Sequence, residues 1–176
     1  MYDLHSILIQ LKKEDTPLHG VMVRCVRCFY QWLDPTLWEG SALFELWAQE
    51  LELIYGDLRQ RLSPNAKTDA GSLGDRFGFD TPPELPRLLQ SIQTFYSVLI
   101  KLIAWNTLRG ATPEPPLTEL LSGRAFVNRG IRNFCGDDWY IWPLDIWDPA
   151  LETQCEELRA CLESVSYTHL RAHETG

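Results

Sequence analysis

The sequence predicts an all-α fold, an irregular helical domain of about five to six helices around one long central helix over about 82–108. Three observations predict it. Apolar residues recur at three- and four-residue spacing in several separate windows, the period of a helical face. Thr-Pro and Asp-Pro pairs stand where those windows open, the arrangement that caps a helix and places proline in its first turn. No convincing period-two alternation and no two-residue hairpin signal occurs between Met1 and Ser164.

Residues 4–13 carry Leu4, Ile7, Leu8 and Leu11 on one face and predict a short amphipathic helix. Thr16-Pro17 then reads as an N-cap, and Val21, Cys25, Phe29 and Trp32 form the stripe of a helix reaching Leu33. Gly40-Ser41 opens a third helix through about Leu62, with Leu43, Leu46, Trp47, Leu51, Ile54, Tyr55 and Leu58 as its apolar face and Glu45, Glu50 and Glu52 on a solvated side. Residues 63–83 are rich in Gly, Pro, Ser and Asp and predict a flexible surface loop. Its glycines make no phosphate cradle, because no Gly-Lys-Ser/Thr ending follows them and no apolar strand precedes them.

Thr81 and Glu84, three apart with two prolines between, predict a capping box at the head of the long helix, and Gly110 its stop. Leu85, Leu88, Leu89, Ile92, Phe95, Tyr96, Leu99, Leu102 and Ile103 are the expected buried face, and Arg87, Gln90, Ser91, Thr94, Ser97 and Lys101 the polar one. Lys101 reads as a snorkelling edge residue, with an ion pair as the alternative. Residues 110–116 form a proline-rich connection, Leu117–Leu121 a helical turn, and Asp148-Pro149 caps a last helix with the stripe Leu151, Cys155, Leu158 and Leu162.

The composition bounds the function. With 176 residues, 45% hydrophobic and 23% charged, the chain is long enough for one domain with a real core. A net charge of −8 argues against a main nucleic-acid clamp, whose affinity comes from cations neutralising phosphates. No apolar run reaching about 18 residues is evident and the N-terminus lacks a charged-then-apolar signal, so no membrane and a cytoplasmic location are expected. Five cysteines at irregular spacing do not make a disulfide framework.

Cys25-Val26-Arg27-Cys28 invites a zinc or redox reading. A structural zinc site wants four ligands and a thioredoxin-like motif wants a strand before it, and the sequence offers neither. Cysteines on a helix that behave as small hydrophobes are the expected answer.

The stretch Arg124–Pro149 holds the densest mixture of aromatic, glycine and acidic residues. Asp137, Asp138 and Asp145 lie beside Trp139, Trp142 and Trp147, bracketed by Gly130, Gly136 and Pro143 and preceded by Arg124, Arg129 and Arg132. Each tryptophan buries on the order of 150–250 Å², so the stretch predicts a packed irregular connection rather than a solvated loop. Asn133 suits a turn that ties down backbone groups.

This stretch also resembles a known family. Gly123, Phe126, Gly130-Ile131, Asn133-Phe134, Asp137-Asp138-Trp139-Tyr140 and Trp142-Pro143-Leu144, followed by a capped helix, are similar to a segment of large N6-adenine DNA methyltransferases. In restriction–modification fusion enzymes and in phage-defence methylases of the BREX and DISARM type, that segment lies just ahead of the catalytic domain. Thr94–Ala104 resembles the long apolar helix that precedes it, so the likeness covers roughly residues 40–162. Cys135-Gly136 departs from the pattern, standing where a longer aliphatic or acidic residue is common.

The resemblance implies a complete enzyme that uses S-adenosylmethionine and double-stranded DNA. Its Gly-containing cofactor turn and its Asn/Asp-Pro-Pro-Tyr-like motif do not occur between Met1 and Ser164, so no catalytic, cofactor-binding or metal residue is expected in this chain. Residues 1–164 are expected to be a helical scaffold that packs on the catalytic domain in cis through Trp139, Tyr140, Trp142 and Trp147. The alternative is a free-standing helical protein–protein interaction module. Val165–Thr175 resembles the in-frame translation of a sequencing adaptor, so 165–176 is expected to be an artefactual tail on a longer protein's fragment. His169 and His173 within it are therefore not read as metal ligands, despite their i, i+4 spacing.

Overall fold

The computed structural model describes residues 4–33, 46, 47, 49, 73–135 and 140–174, with side chains described as far as Val165. The helix expected over 41–62 lies outside that set except at Leu46, Trp47 and Gln49, which are helical, and Gly136, Asp137, Asp138 and Trp139 also lie outside it.

The chain forms α1 (Leu4–Lys12), α2 (Pro17–Trp32), α3 (Leu85–Leu108), α4 (Leu117–Leu121), α5 (Arg124–Val127), a 3-10 turn at Trp142–Leu144, and α6 (Pro149–Glu174). No strand occurs among the described residues, and the fold is all-α. α2 lies between α3 and α6 and packs extensively on both, while α1 crosses α2.

Thr16 caps α2 as its sequence predicts. Its hydroxyl accepts from the His19 amide at 3.3 Å and sits against the Gln10 and Lys13 carbonyls, so one side chain closes the turn between α1 and α2. α2 then buries Leu18, Val21, Met22, Cys25, Val26, Cys28 and Phe29. A face this wide follows from packing on two sides. Asp148 caps α6, its Oδ1 accepting from the Ala150 amide at 2.8 Å. The stripe Leu151, Cys155, Leu158 and Leu162 is wholly buried, and Val165, expected to begin the tail, continues it at 4% exposure.

Several expectations are corrected. Of the stripe predicted on α1 only Ile7 and Leu11 are buried; Leu4 and Leu8 are exposed because α2 covers one edge of it. Trp32, at the end of the α2 stripe, is also exposed. The Thr81–Glu84 capping box does not form: α3 starts at Leu85 with Glu84 as its cap and without a side-chain cap bond. Pro82 and Pro83 keep the backbone before them out of the α region, which delays the start, and the Glu84 amide instead donates to the Tyr30 hydroxyl at 3.0 Å.

Residues 73–83 are held against the fold. Leu73–Arg76 make a helical turn, Phe77 is buried, Phe79 packs edge-on to Tyr30, and Arg27 donates to the Gly78 carbonyl at 2.9 Å. A loop rich in turn residues thus carries two phenylalanines that fill space between α2 and the start of α3.

α3 is the one described helix long and apolar enough to cross a membrane by length and composition, a correction to the expectation that no such run exists. Here it is an interior helix, with Leu88, Phe95, Val98, Leu99, Leu102 and Trp105 buried in the core.

Candidate functional site

The face that α3 buries only partly matches the one its hydropathy predicts: Leu88, Phe95, Leu99 and Leu102 are buried as expected. Gln90, Ser91, Thr94 and Lys101, expected in solvent, are at most 3% exposed, whereas Tyr96 and Ile100 are 45% and 53% exposed. The buried stripe is turned from the predicted one by roughly 100°, about one residue's step around the helix.

Local chemistry makes this rotation affordable. The Ser91 hydroxyl donates to the Arg87 carbonyl at 2.7 Å and the Thr94 hydroxyl to the Gln90 carbonyl at 2.8 Å, both one turn back along the helix. Their donors are satisfied without water, so burying them avoids the cost of an unpaired polar group. The Lys101 ammonium donates to the Leu121 carbonyl at the end of α4 at 2.8 Å, where a helix leaves carbonyls unsatisfied. Lys101 is thus a buried tie between α3 and α4 rather than a snorkelling edge residue.

The stretch from Gly123 to Trp147 is built onto this face. Gly123 adopts φ +79°, and a Cβ there would meet the Phe134 carbonyl oxygen at 1.9 Å, so only glycine lets the chain cross itself at that point. Phe126 is fully buried and stacks against Trp105 and Phe134 at 5.8 Å and 4.5 Å between centroids. Arg129 closes the far end of α3, donating to the Leu108 and Arg109 carbonyls at 2.7 Å and 2.9 Å and to the Thr112 hydroxyl, with its guanidinium 5.7 Å from the Trp105 ring. A cation on the last carbonyls of a long helix also complements its dipole.

Farther along, Trp142 Nε1 donates to the Thr94 hydroxyl at 2.9 Å, and the ring meets Phe29 edge-on at 6.0 Å. The Tyr140 hydroxyl donates to Gln93 Oε1 at 3.0 Å, and Trp47 Nε1 donates to the same oxygen at 2.8 Å. One glutamine therefore fastens both the aromatic stretch and the Trp47 helix to α3.

Between α3 and this stretch lies an open cleft of about 580 Å³. Tyr96, Ile100, Phe134 and Tyr140 supply its apolar walls, and Gln93, Ser97, Lys101 and Asn133 its polar ones. The size and the mixture of wide apolar walls with a few polar groups suit a binding surface.

Of the four residues expected at an interdomain contact, Trp139 lies outside the described residues and Tyr140 lines the cleft. Trp142 and Trp147 are partly buried and packed against the core, which leaves only their remaining edges for a partner. Asp145, Arg124 and Arg132 are exposed, as solvated charges would be. Gln93, Thr94 and Lys101 were missed as site residues because a lone polar residue in a helical window reads as solvent-facing. For Thr94 the one available signal is the run of Gln90, Ser91, Gln93 and Thr94, with Ser and Thr able to bond the preceding turn; Gln93 and Lys101 carry none of their own.

The cysteines converge elsewhere. Cys25 and Cys155 are wholly buried and Cys28 nearly so, on the seam between α2 and α6, where the Cys25 thiol contacts the Gln154 carbonyl at 3.4 Å. Burial pushes all three thiols up, Cys155 to about 12, with their mutual proximity reinforcing the effect at Cys25 and Cys155. Thiols held protonated are poor nucleophiles and poor metal ligands. Among the described residues no group of three His, Cys, Asp or Glu side chains could hold a metal ion. Comparison with protein-family models, with curated proteins and with solved structures returns no match to this chain.

Proposed function

We propose that the chain is a helical scaffold whose work is to dock another protein domain. The domain it serves in this reading is the catalytic part of an N6-adenine DNA methyltransferase, acting in the cytoplasm in restriction–modification or phage defence. The complete enzyme would take S-adenosylmethionine and double-stranded DNA, neither of which is assigned a site on this chain. Trp139, Tyr140, Trp142 and Trp147 would stand at or beside the interdomain contact, with Tyr140 on the cleft and Trp142 bracing it from within.

One observation carries the docking reading: the Gly123–Trp147 stretch is keyed to α3 at Phe126, Arg129, Tyr140 and Trp142, yet leaves Tyr96 and Ile100 uncovered beside an open cleft. A rigid frame around exposed apolar side chains is the arrangement of an interaction surface. The methyltransferase part rests on the resemblance at residues 94–104 and 123–144. A free-standing interaction module, with the same aromatic stretch meeting a separate protein, is the second reading.

Sequencing the natural reading frame beyond the codon for Ser164 separates them. The methyltransferase reading expects a strand, a Gly-containing turn and an Asn/Asp-Pro-Pro-Tyr or Phe motif downstream. A frame that closes within a few codons sinks it and leaves the free-standing module.

A further inference from the structure

Ile92, Tyr96 and Ile100 stand at i, i+4 and i+8 on α3, one straight row about 12 Å long at about 1.5 Å per residue. Tyr96 separates two depressions. On one side is the cleft already described, bounded by Ile100 and Phe134. On the other is a depression of about 310 Å³, bounded by Leu8, Ile92, Phe77 and Met22. Tyr96 and Ile100 of the row are 45% and 53% exposed, Leu8 on α1 beside it 56%, and Ile92 is half-buried at its foot. Together they make one apolar groove running from α1 along α3 to the aromatic stretch.

The charge along this groove is opposite to that of the protein. The chain carries 24 acidic against 16 basic residues, yet the exposed Lys12 and Arg76 border the Leu8 depression, and no carboxylate among the described residues lines either depression. An apolar floor rules against nucleic acid as the preferred occupant, because phosphate binding needs a cationic surface and gains nothing from Leu8, Ile92 or Ile100. A helix with apolar side chains at i, i+4 spacing and carboxylates flanking them matches both the row and the charge.

We propose that this groove is the docking site for an acidic amphipathic helix of a partner domain. The inference deepens the docking reading by naming the partner's chemistry, and it stands whether or not that partner belongs to a methyltransferase. Apolar side chains of the partner seat on either side of Tyr96, and its carboxylates meet Lys12 and Arg76 at the α1 end. Charge steering raises the association rate, so binding weakens as salt rises.

Fluorescence anisotropy on the full chain tests it with three labelled probes: an amphipathic helical peptide with leucines at i, i+4 and i+7 flanked by glutamates, the same peptide with lysines for glutamates, and a short DNA duplex. The glutamate peptide is expected to bind at least tenfold more tightly than the lysine peptide. Ile100→Asp, which places a carboxylate in the groove at an already exposed position, and the double charge reversal Lys12→Glu with Arg76→Glu are each expected to weaken it at least tenfold. Unchanged melting temperatures check that these variants fold, and Tyr96→Ala provides a milder third variant. Equal affinity for the two peptides, tighter binding of the duplex, or glutamate-peptide binding untouched by the groove variants overturns the proposal.

Discussion

The two seams of this protein bury polar and sulfur atoms in opposite ways. The α2–α6 seam holds Cys25, Cys28 and Cys155 as small apolar side chains, closed from solvent and with their thiols driven toward the protonated form. The seam between α3 and the Gly123–Trp147 stretch holds Gln93, Thr94 and Lys101 in defined hydrogen bonds and opens into a cleft. The cysteines, which look most chemical in the sequence, are thus packing, whereas unremarkable helix residues organise the open cleft. Residue type alone does not assign a role; the geometry of the partner groups does.

The largest effect that would break this contrast is expected at Gly123. Gly123→Ala combines a positive φ with a clash against the Phe134 carbonyl, so it should cost at least about 3 kcal/mol and detach the aromatic stretch from α3. Urea unfolding measures the loss, and an unchanged midpoint would mean that the crossing of the chain at this point is not needed.

Next comes Thr94→Val, nearly isosteric, which removes the acceptor for Trp142 Nε1 and should cost about 1–3 kcal/mol. Trp142→Phe deletes the donor as well as part of the ring. A double-mutant cycle between the two is expected to show a coupling of about 1 kcal/mol, whereas additive costs would mean that the bond contributes nothing.

The cysteine seam makes a different prediction, one of pH. A thiol whose folded pKa is raised stabilises the fold below its unfolded value of 9.0, and that stability is lost as pH rises toward the folded value of about 12 at Cys155. The melting temperature should therefore fall across that window. Cys155→Ala should lower stability at neutral pH by about 1–2 kcal/mol through the cavity it leaves, and should make the alkaline fall shallower. An alkaline slope identical in the variant would show that the thiol is not the group responsible.

Smallest of all should be the stability change on trimming the groove. Tyr96→Ala and Ile100→Ala remove exposed side chains and are expected to change stability by only about 0.5 kcal/mol. A larger loss in thermal melts would place these residues in the core and remove the reason to regard them as a docking row.

Much of the fold was legible in the sequence, for identifiable reasons. Thr16 and Asp148 announce α2 and α6 because a short oxygen-bearing side chain before proline does one job well. The α6 stripe is read without error because that helix buries a single narrow face. α3 is read only in part: its neighbours cover more than one side, and Ser91 and Thr94 pair within their own helix, so hydropathy marks Leu88, Phe95, Leu99 and Leu102 but misses the polar side of the buried face. The Thr81–Glu84 motif fails because two prolines intervene between a correct capping pair. The stretch around Gly123 was rightly expected to be packed, but the attachment of Tyr140 and Trp142 to Gln93 and Thr94 spans 47 and 48 residues and has no local signature.

In the proposed docking this chain meets its partner on the open row of α3 and not at the cysteine seam. Methyl-resolved NMR of the isoleucines and leucines during titration with the acidic amphipathic peptide tests it most directly. The account predicts shifts at Leu8, Ile92 and Ile100, with Leu151, Leu158 and Leu162 unmoved. Shifts confined to the α6 leucines, or spread evenly over both seams, would contradict it.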